Sequence, residues 1–193
     1  MLSIGTEKSD RIITITNTTW AEYISLDLPK LRVSFRNGVI TIVSPGRNHE
    51  LIGDYIRAII WTYCRKNNLA LFPYNQTTIK EEGKEGQEPD VAYCFEIDKD
   101  KPDLAVEINL TSGSIDDLTK YQCLKIAEVW LWEDNQIRFF VYRDSGYLEL
   151  TTSNSLPSLN SDRVTKIVNS CFGKSVLEVE KYFQNLIYSD IVY

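Results

Sequence analysis

The sequence predicts an α/β protein with an N-terminal β-hairpin, on three observations. Asn37-Gly38 separates two short β-rich runs. A long stretch from about Asn48 to Lys66 carries apolar residues at helical spacing. Between Glu88 and Glu133 the chain reads as a strand, a tight turn, a second strand, a helix and a third strand, and this stretch holds the residues that look like chemistry.

In chain order, Met1 to Thr19 is polar with one β-like run, Ile12 to Ile15, and is expected to be a frayed or edge segment. Trp20 to Leu26 reads as a short helix capped by Thr19. Leu31 to Phe35 and Val39 to Val43 form the hairpin. In the long helix, His49, Ile52, Ile56, Ile60 and Tyr63 repeat at intervals of 3 to 4 and define an inward face. His49 is therefore either a hydrogen-bonded structural histidine or a site histidine. Glu50 and Asp54 are solvated helix residues or additional acidic ligands. Leu69 to Tyr74 with Thr77 to Ile79 reads as a strand. Lys80 to Gln87 reads as a flexible charged loop beside the site, either solvated or in contact with substrate.

Asp90 to Ile97 has the aromatic and β-branched content of a strand, and Asp98 to Pro102 is a polar turn. Leu104 to Leu110 is apolar enough to be buried on both faces, and Glu107 interrupts it. A carboxylate inside a central strand is costly to desolvate unless a cation or basic side chain compensates it. With period 2, Asp103, Ala105, Glu107 and Asn109 share a face, and Asp90 could meet Glu107 across the strand pair. Two converging carboxylates suit a hard divalent cation such as Mg²⁺ or Mn²⁺. Thr111 to Ser114 is a small polar loop able to approach a phosphate. A helix capped by Ser114 or Asp116 runs to about Ala127, and both Lys120 and Lys125 fall among its apolar residues. Val129 to Glu133 is a strand whose Trp130 and Trp132 belong to a core or an interface. Gln136 to Arg143 and Gly146 to Thr152 form a further β pair, and Val176 to Leu186 a C-terminal helix.

Pro89-Asp90, then Glu107 on the next strand, then a lysine, resembles the PD-(D/E)XK nuclease superfamily. More narrowly, Glu88-Pro-Asp-Val91, Pro102-Asp-Leu-Ala-Val-Glu-Ile108, the Ser/Thr/Gly loop with Asp117-Leu-Thr-Lys-Tyr121, and Glu128-Val-Trp-Leu-Trp132 resemble the Uma-two family of restriction endonucleases, over roughly Trp20 to Leu159. The resemblance implies a restriction-endonuclease-like fold, with a central mixed β-sheet flanked by helices. It implies Asp90 and Glu107 as metal ligands with the backbone carbonyl of Ile108, and Lys120 as the catalytic lysine, reaching from the helix to the point where the superfamily pattern has a lysine and this chain has Asn109. Tyr121, His49 and Asn109 would support them. Ser34 stands where the Uma-two pattern tends to carry an acid. The implied activity is Mg²⁺- or Mn²⁺-dependent hydrolysis of DNA, by a protein that is often a homodimer.

A chain of 193 residues, 43% hydrophobic and 25% charged, suits one globular domain over 1–193, with a core at about 20–160 and a C-terminal helix at about 175–187. No apolar run approaches a membrane span, and Met1 to Ile15 lacks a signal-peptide layout, so a cytoplasmic location is expected. Four scattered cysteines, Cys64, Cys94, Cys123 and Cys171, read as reduced core residues, and a single histidine argues against a Cys/His zinc site. The net charge of −6 argues against a generally basic nucleic-acid coat. Arg47, Arg57, Arg65, Lys66, Lys80 and Lys84 are either solvated or a local basic rim. Loss of either carboxylate is expected to abolish the reaction and leave the fold intact. The alternative is a catalytically silent member of the fold that binds nucleic acid or a protein partner. A Ser-His-Asp hydrolase would need His49 and lacks a Gly-x-Ser-x-Gly elbow.

Overall fold

The computed structural model describes residues 10–29, 31–74, 78–110 and 116–189. Strand β1 (Arg11–Thr16) leads into α1 (Trp20–Ser25). Thr19 caps this short helix through a capping box, its side chain accepting from the Glu22 N–H while Glu22 reaches back to the Thr19 N–H. β2 (Arg32–Arg36) and β3 (Val39–Ser44) follow, joined by Asn37 and Gly38 at φ 48° and 76°, the pair of positive angles a tight hairpin turn demands. Helix α2 (Arg47–Asn67) ends on Asn68 in the left-handed conformation.

Next come β4 (Leu71–Pro73), β5 (Ile79–Glu81) and β6 (Glu85–Gln87). Two sequence expectations fail here. Leu69 to Ile79 is not one strand, because β4 and β5 lie in different sheets. Lys80 to Gln87 is not a free loop but a hairpin turning at Gly83, φ 75°, with Glu85, Gly86 and Gln87 all buried. Its polar content misleads because β6 is covered on both faces: Gly86 lies so close to Tyr23 that a Cβ there would sit 2.4 Å from the hydroxyl, while Glu85 meets Arg36 on β2.

The second half runs β7 (Val91–Phe95), β8 (Leu104–Ile108), α3 (Asp116–Leu124), β9 (Glu128–Glu133), β10 (Gln136–Arg143), β11 (Gly146–Leu150), α4 (Ser161–Cys171) and α5 (Val176–Ser189). Sequence reading passes over α4, although Asn160 caps it and Val164, Ile167, Val168 and Cys171 form its buried stripe. The strands form two sheets, ordered β1-β3-β2-β6-β5 and β11-β10-β9-β8-β7-β4. The second is mixed, β8 pairing parallel with β9 and antiparallel with β7.

β8 is buried on both faces as its sequence predicts. Leu104, Val106 and Ile108 enter a core with α2, α4, α5 and the two tryptophans, where Trp130 stacks on Phe139 at 4.3 Å. Ala105 faces the other way, into a cluster with Leu118, Tyr121 and Leu124 of α3. Glu107 shares that second face, which is how a carboxylate comes to lie between the sheet and a helix. Of the cysteines, Cys64, Cys94 and Cys171 are buried; Cys123 is exposed, on the outer side of α3, and does not belong to the core. Among the described residues, no helix is long and apolar enough to cross a membrane.

Candidate active site

A cleft of about 290 Å³ opens between the inner face of the five-stranded sheet, the start of α2, the adjoining ends of β7 and β8, and α3. Asp90, Glu107, Ile108, Asn109, Lys120 and His49 all line it. The β7–β8 register, Val91 against Val106, sets Asp90 opposite Glu107 when continued by one residue. Pro89 ends the strand, having no N–H for the ladder. The carboxylate that follows takes the free amide: Asp90 Oδ2 accepts from the Ile108 N–H at 2.9 Å.

Asp90 is 5% exposed, and its other oxygen meets two basic groups. His49 Nε2 lies 2.9 Å from Oδ1 and Arg32 Nε 3.4 Å from it. Neither contact has the alignment of a good hydrogen bond, so charge is what holds them. On its far side His49 Nδ1 lies 3.0 Å from Asp10 Oδ2, and Asp10 also accepts from the Gly46 N–H at 2.7 Å, just before α2. Burial alone would lower the imidazole pKa, but the close carboxylates of Asp10 and Asp90, on either side of the ring, outweigh it and push it up to about 10. Burial likewise opposes ionisation of Asp10, yet the His49 and Gly46 bonds hold its carboxyl below the usual value. His49 is thus a buried imidazolium clamped between two carboxylates. It is structural in the sense that it is bonded, and it is also in the site.

Glu107, 8% exposed, is fixed from the α3 side. Gln87 Nε2 donates to its Oε1 at 2.6 Å, and the Tyr121 hydroxyl donates to the same oxygen. Tyr121 is fully buried in the helix–sheet cluster, so the helix register brings Lys120 to the cleft beside it. The charge of Lys120 also reaches Glu85, whose pKa burial pushes up to about 7 while Arg36 and Lys120 pull it down. Lys125, the alternative on the helical wheel, does not line the cleft. Asn109 lines it, and its N–H donates to the Trp132 carbonyl at 2.8 Å, continuing the β8–β9 ladder.

Other expectations fare differently. Glu50 and Asp54 are exposed, as solvated helix residues would be, Glu50 4.0 Å from Arg32 and Asp54 paired with Arg57 at 2.7 Å. Of Arg47, Arg57, Arg65, Lys66, Lys80 and Lys84, read as solvated charges or a basic rim, none lines the cleft. Arg57 pairs with Asp54 and donates to the Asp90 carbonyl at 2.8 Å, Lys84 pairs with Glu81 and Arg65 with Glu180, while among the described residues Arg32 and Lys120 beside His49 are the basic side chains of the cleft wall. Thr111 to Ser114 lies outside the described residues. Asp103 does not line the cleft; it accepts from Lys99 and the Phe95 N–H at the β7–β8 turn. Sequence reading missed Asp10, Arg32 and Gln87. Only Gln87 carried a signal, its place at the second position from Pro89 before Asp90, on a segment that looked like a solvated loop.

The mixed sheet, its flanking helices and the paired carboxylates at adjoining strand ends define a protein of restriction-endonuclease-like fold. The family model described as "Putative restriction endonuclease" matches residues 20–168, and the chain belongs to this family, Uma2. Its fold is similar to that in the crystal structure titled a "putative nuclease belonging to DUF820" from Anabaena variabilis ATCC 29413, at TM-score 0.55 and 15% identity over 78% of this chain and 98% of that one. No curated protein matches the chain.

Among the described residues, no group of three or more His, Cys, Asp or Glu side chains is placed to hold a metal ion. Four carboxylates line the cleft: Asp10 is bonded to His49 and the Gly46 N–H, Glu88 accepts from the Val33 N–H and the Thr78 hydroxyl, and Asp90 and Glu107 face each other from the strand ends, with Gln87 Oε1, a buried oxygen without a hydrogen-bond partner, beside them. That set of hard oxygens fits a divalent cation of the Mg²⁺ or Mn²⁺ kind, with water completing its shell.

Proposed function

We propose that this chain is a divalent-metal-dependent endonuclease that hydrolyses phosphodiester bonds in DNA at the Asp90–Glu107 cleft. The observation that carries it is the placement of two buried carboxylates from neighbouring strands in one cleft with Lys120. Asp90 and Glu107 would hold Mg²⁺ or Mn²⁺. The Ile108 carbonyl suits a third position, because an extended residue turns its N–H and C=O to the same edge, and the Ile108 N–H points at Asp90. The cation when bound would activate a water and neutralise charge at phosphorus. Lys120 supplies positive charge to the phosphoryl oxygens from a helix locked by Tyr121. Tyr121 and Gln87 keep the Glu107 carboxylate from rotating, and His49 and Arg32 keep Asp90 aimed into the cleft. Water attacks phosphorus, the bond to the leaving oxygen breaks, and that oxygen takes up a proton.

The reading brings with it a single domain acting in the cytoplasm as a homodimer, since cutting two strands suits a twofold axis. One observation favours the rival, a catalytically silent fold that binds nucleic acid or a protein partner: the charge of Asp90 is already met inside the chain by Arg32 and His49. Supercoiled-plasmid nicking in Mg²⁺ separates the two. The expected outcome is nicking by the wild type that falls at least a hundredfold in Glu107→Gln and in Lys120→Ala. Nicking that survives Glu107→Gln, or DNA binding with no divalent-dependent cleavage, overturns the nuclease reading.

A further inference from the structure

We propose that Gln87 is itself a metal ligand, its Oε1 giving the cation a neutral side-chain oxygen in addition to the Asp90 and Glu107 carboxylates and the Ile108 carbonyl. The inference rests on the reading of this cleft as a divalent-cation site. It starts from the orientation of one amide. Gln87 is 7% exposed on β6, and its Nε2 donates to Glu107 Oε1 at 2.6 Å. A carboxylate oxygen accepts hydrogen bonds and repels another acceptor, so it fixes which end of the amide is nitrogen. The amide oxygen must then point away from Glu107 Oε1. It is buried, it has no hydrogen-bond partner, and its residue forms part of the cleft wall with Asp90 and Glu107.

A buried amide oxygen left unpaired is uncommon in folded proteins and calls for a reason. Carbonyl oxygens of Asn and Gln are ordinary ligands for hard divalent ions. Backbone geometry supports a built position. β6 runs antiparallel to β2, and the pairing of Phe35 with Gly86, carried one step further, sets Gln87 opposite Ser34, which also lines the cleft. Gly86 is held against Tyr23 on the opposite face, so β6 cannot roll without a clash. Charge accounting is consistent as well. Arg32 and His49 already meet the charge of Asp90, and a neutral ligand adds coordination without adding repulsion between the acids in the metal-free protein.

The test is calorimetric titration of Mn²⁺ into the wild type and into Glu107→Ala, Gln87→Leu and Gln87→Glu, each checked for folding by its thermal melt. Gln87→Met replaces Gln87→Leu if the latter does not fold. A ligand role predicts that Gln87→Leu weakens Mn²⁺ about tenfold or more. It also predicts that Gln87→Glu, which keeps an oxygen but cannot donate to an ionised Glu107, binds at least as tightly as the wild type. If Gln87→Glu weakens binding as much as Gln87→Leu, the residue only orients Glu107 and the proposal fails. If Gln87→Leu binds like the wild type while Glu107→Ala does not bind, the metal site stands and Gln87 has no part in it. If the wild type itself binds no Mn²⁺, the cation-site reading falls and this inference falls with it.

Discussion

Asp90 shows how a site residue can also be a structural one. From sequence, two facing acids were expected to be removable without cost to the fold. The structure ties Asp90 to the Ile108 amide and sets it against His49 and Arg32, so Asp90→Ala would leave buried cations and a strand N–H uncompensated. We expect Asp90→Ala to lose roughly 2–4 kcal/mol of stability in denaturant titration, and Asp90→Asn, which still accepts from Ile108, distinctly less. His49 gives a pH signature. Its pKa is raised from the ordinary imidazole value of about 6.5 to about 10, so its contribution to stability is full below about 6.5 and is lost as pH rises through about 10. The melting temperature of the wild type should therefore fall between pH 7 and 10, and His49→Gln should flatten that part of the profile. A wild-type slope retained in His49→Gln would show that the clamp is not its source. Glu128 is a third case. It is fully buried and accepts from Trp130 Nε1 and from the Asn154 and Ser155 amides, so the acid of the Glu-Val-Trp-Leu-Trp motif anchors a loop and lies outside the cleft. Glu128→Ala should cost on the order of 3 kcal/mol or more, read from the urea midpoint.

Among the elements, the hairpin of β5 and β6 separates what the sequence can convey from what it cannot. Strand periodicity is a burial signal, and Lys80 to Gln87 has no apolar face to alternate. What buries it is the company it keeps, Tyr23 on one side and Glu107 with α3 on the other, and those contacts cross more than fifteen residues of chain. Gly86→Ala tests the fit. The new methyl meets the Tyr23 ring, and we expect overpacking of about 1–3 kcal/mol in thermal unfolding, relieved in part by pairing it with a smaller residue at 23. By contrast β2–β3, α2, β7, β8 and β9 were legible, because Asn-Gly turns, helical stripes and doubly buried strands are local patterns. Helix α4 is equally legible by its buried stripe and its Asn160 cap. The carboxylate pair could be read because it lies on adjacent strands. Asp10 and Arg32 could not, since only the first sheet packing against the cleft brings them there, and the place of Gln87 just before Pro89-Asp90 was masked by the polar run that precedes it.

Taken whole, the molecule has one cavity wall from each sheet, and its reactive groups differ sharply in access. Cys64, Cys94 and Cys171 are buried, and burial raises the pKa of each of these thiols. A thiol-specific reagent at neutral pH should therefore modify one equivalent per chain, Cys123, within minutes, and the other three only on unfolding. Two or more fast equivalents would mean that the packing of α2 or α4 is looser than described.

The clamp on His49 depends on Asp10, which sits just before β1, a strand that among the described residues pairs only with β3. Family matching begins at residue 20. Anyone trimming the gene to that boundary, or fusing a tag at Trp20, would delete β1 and Asp10 together, leaving the imidazolium with one carboxylate where it had two. Such a shortened protein could express well, carry every motif residue and still give a false negative in a nuclease screen.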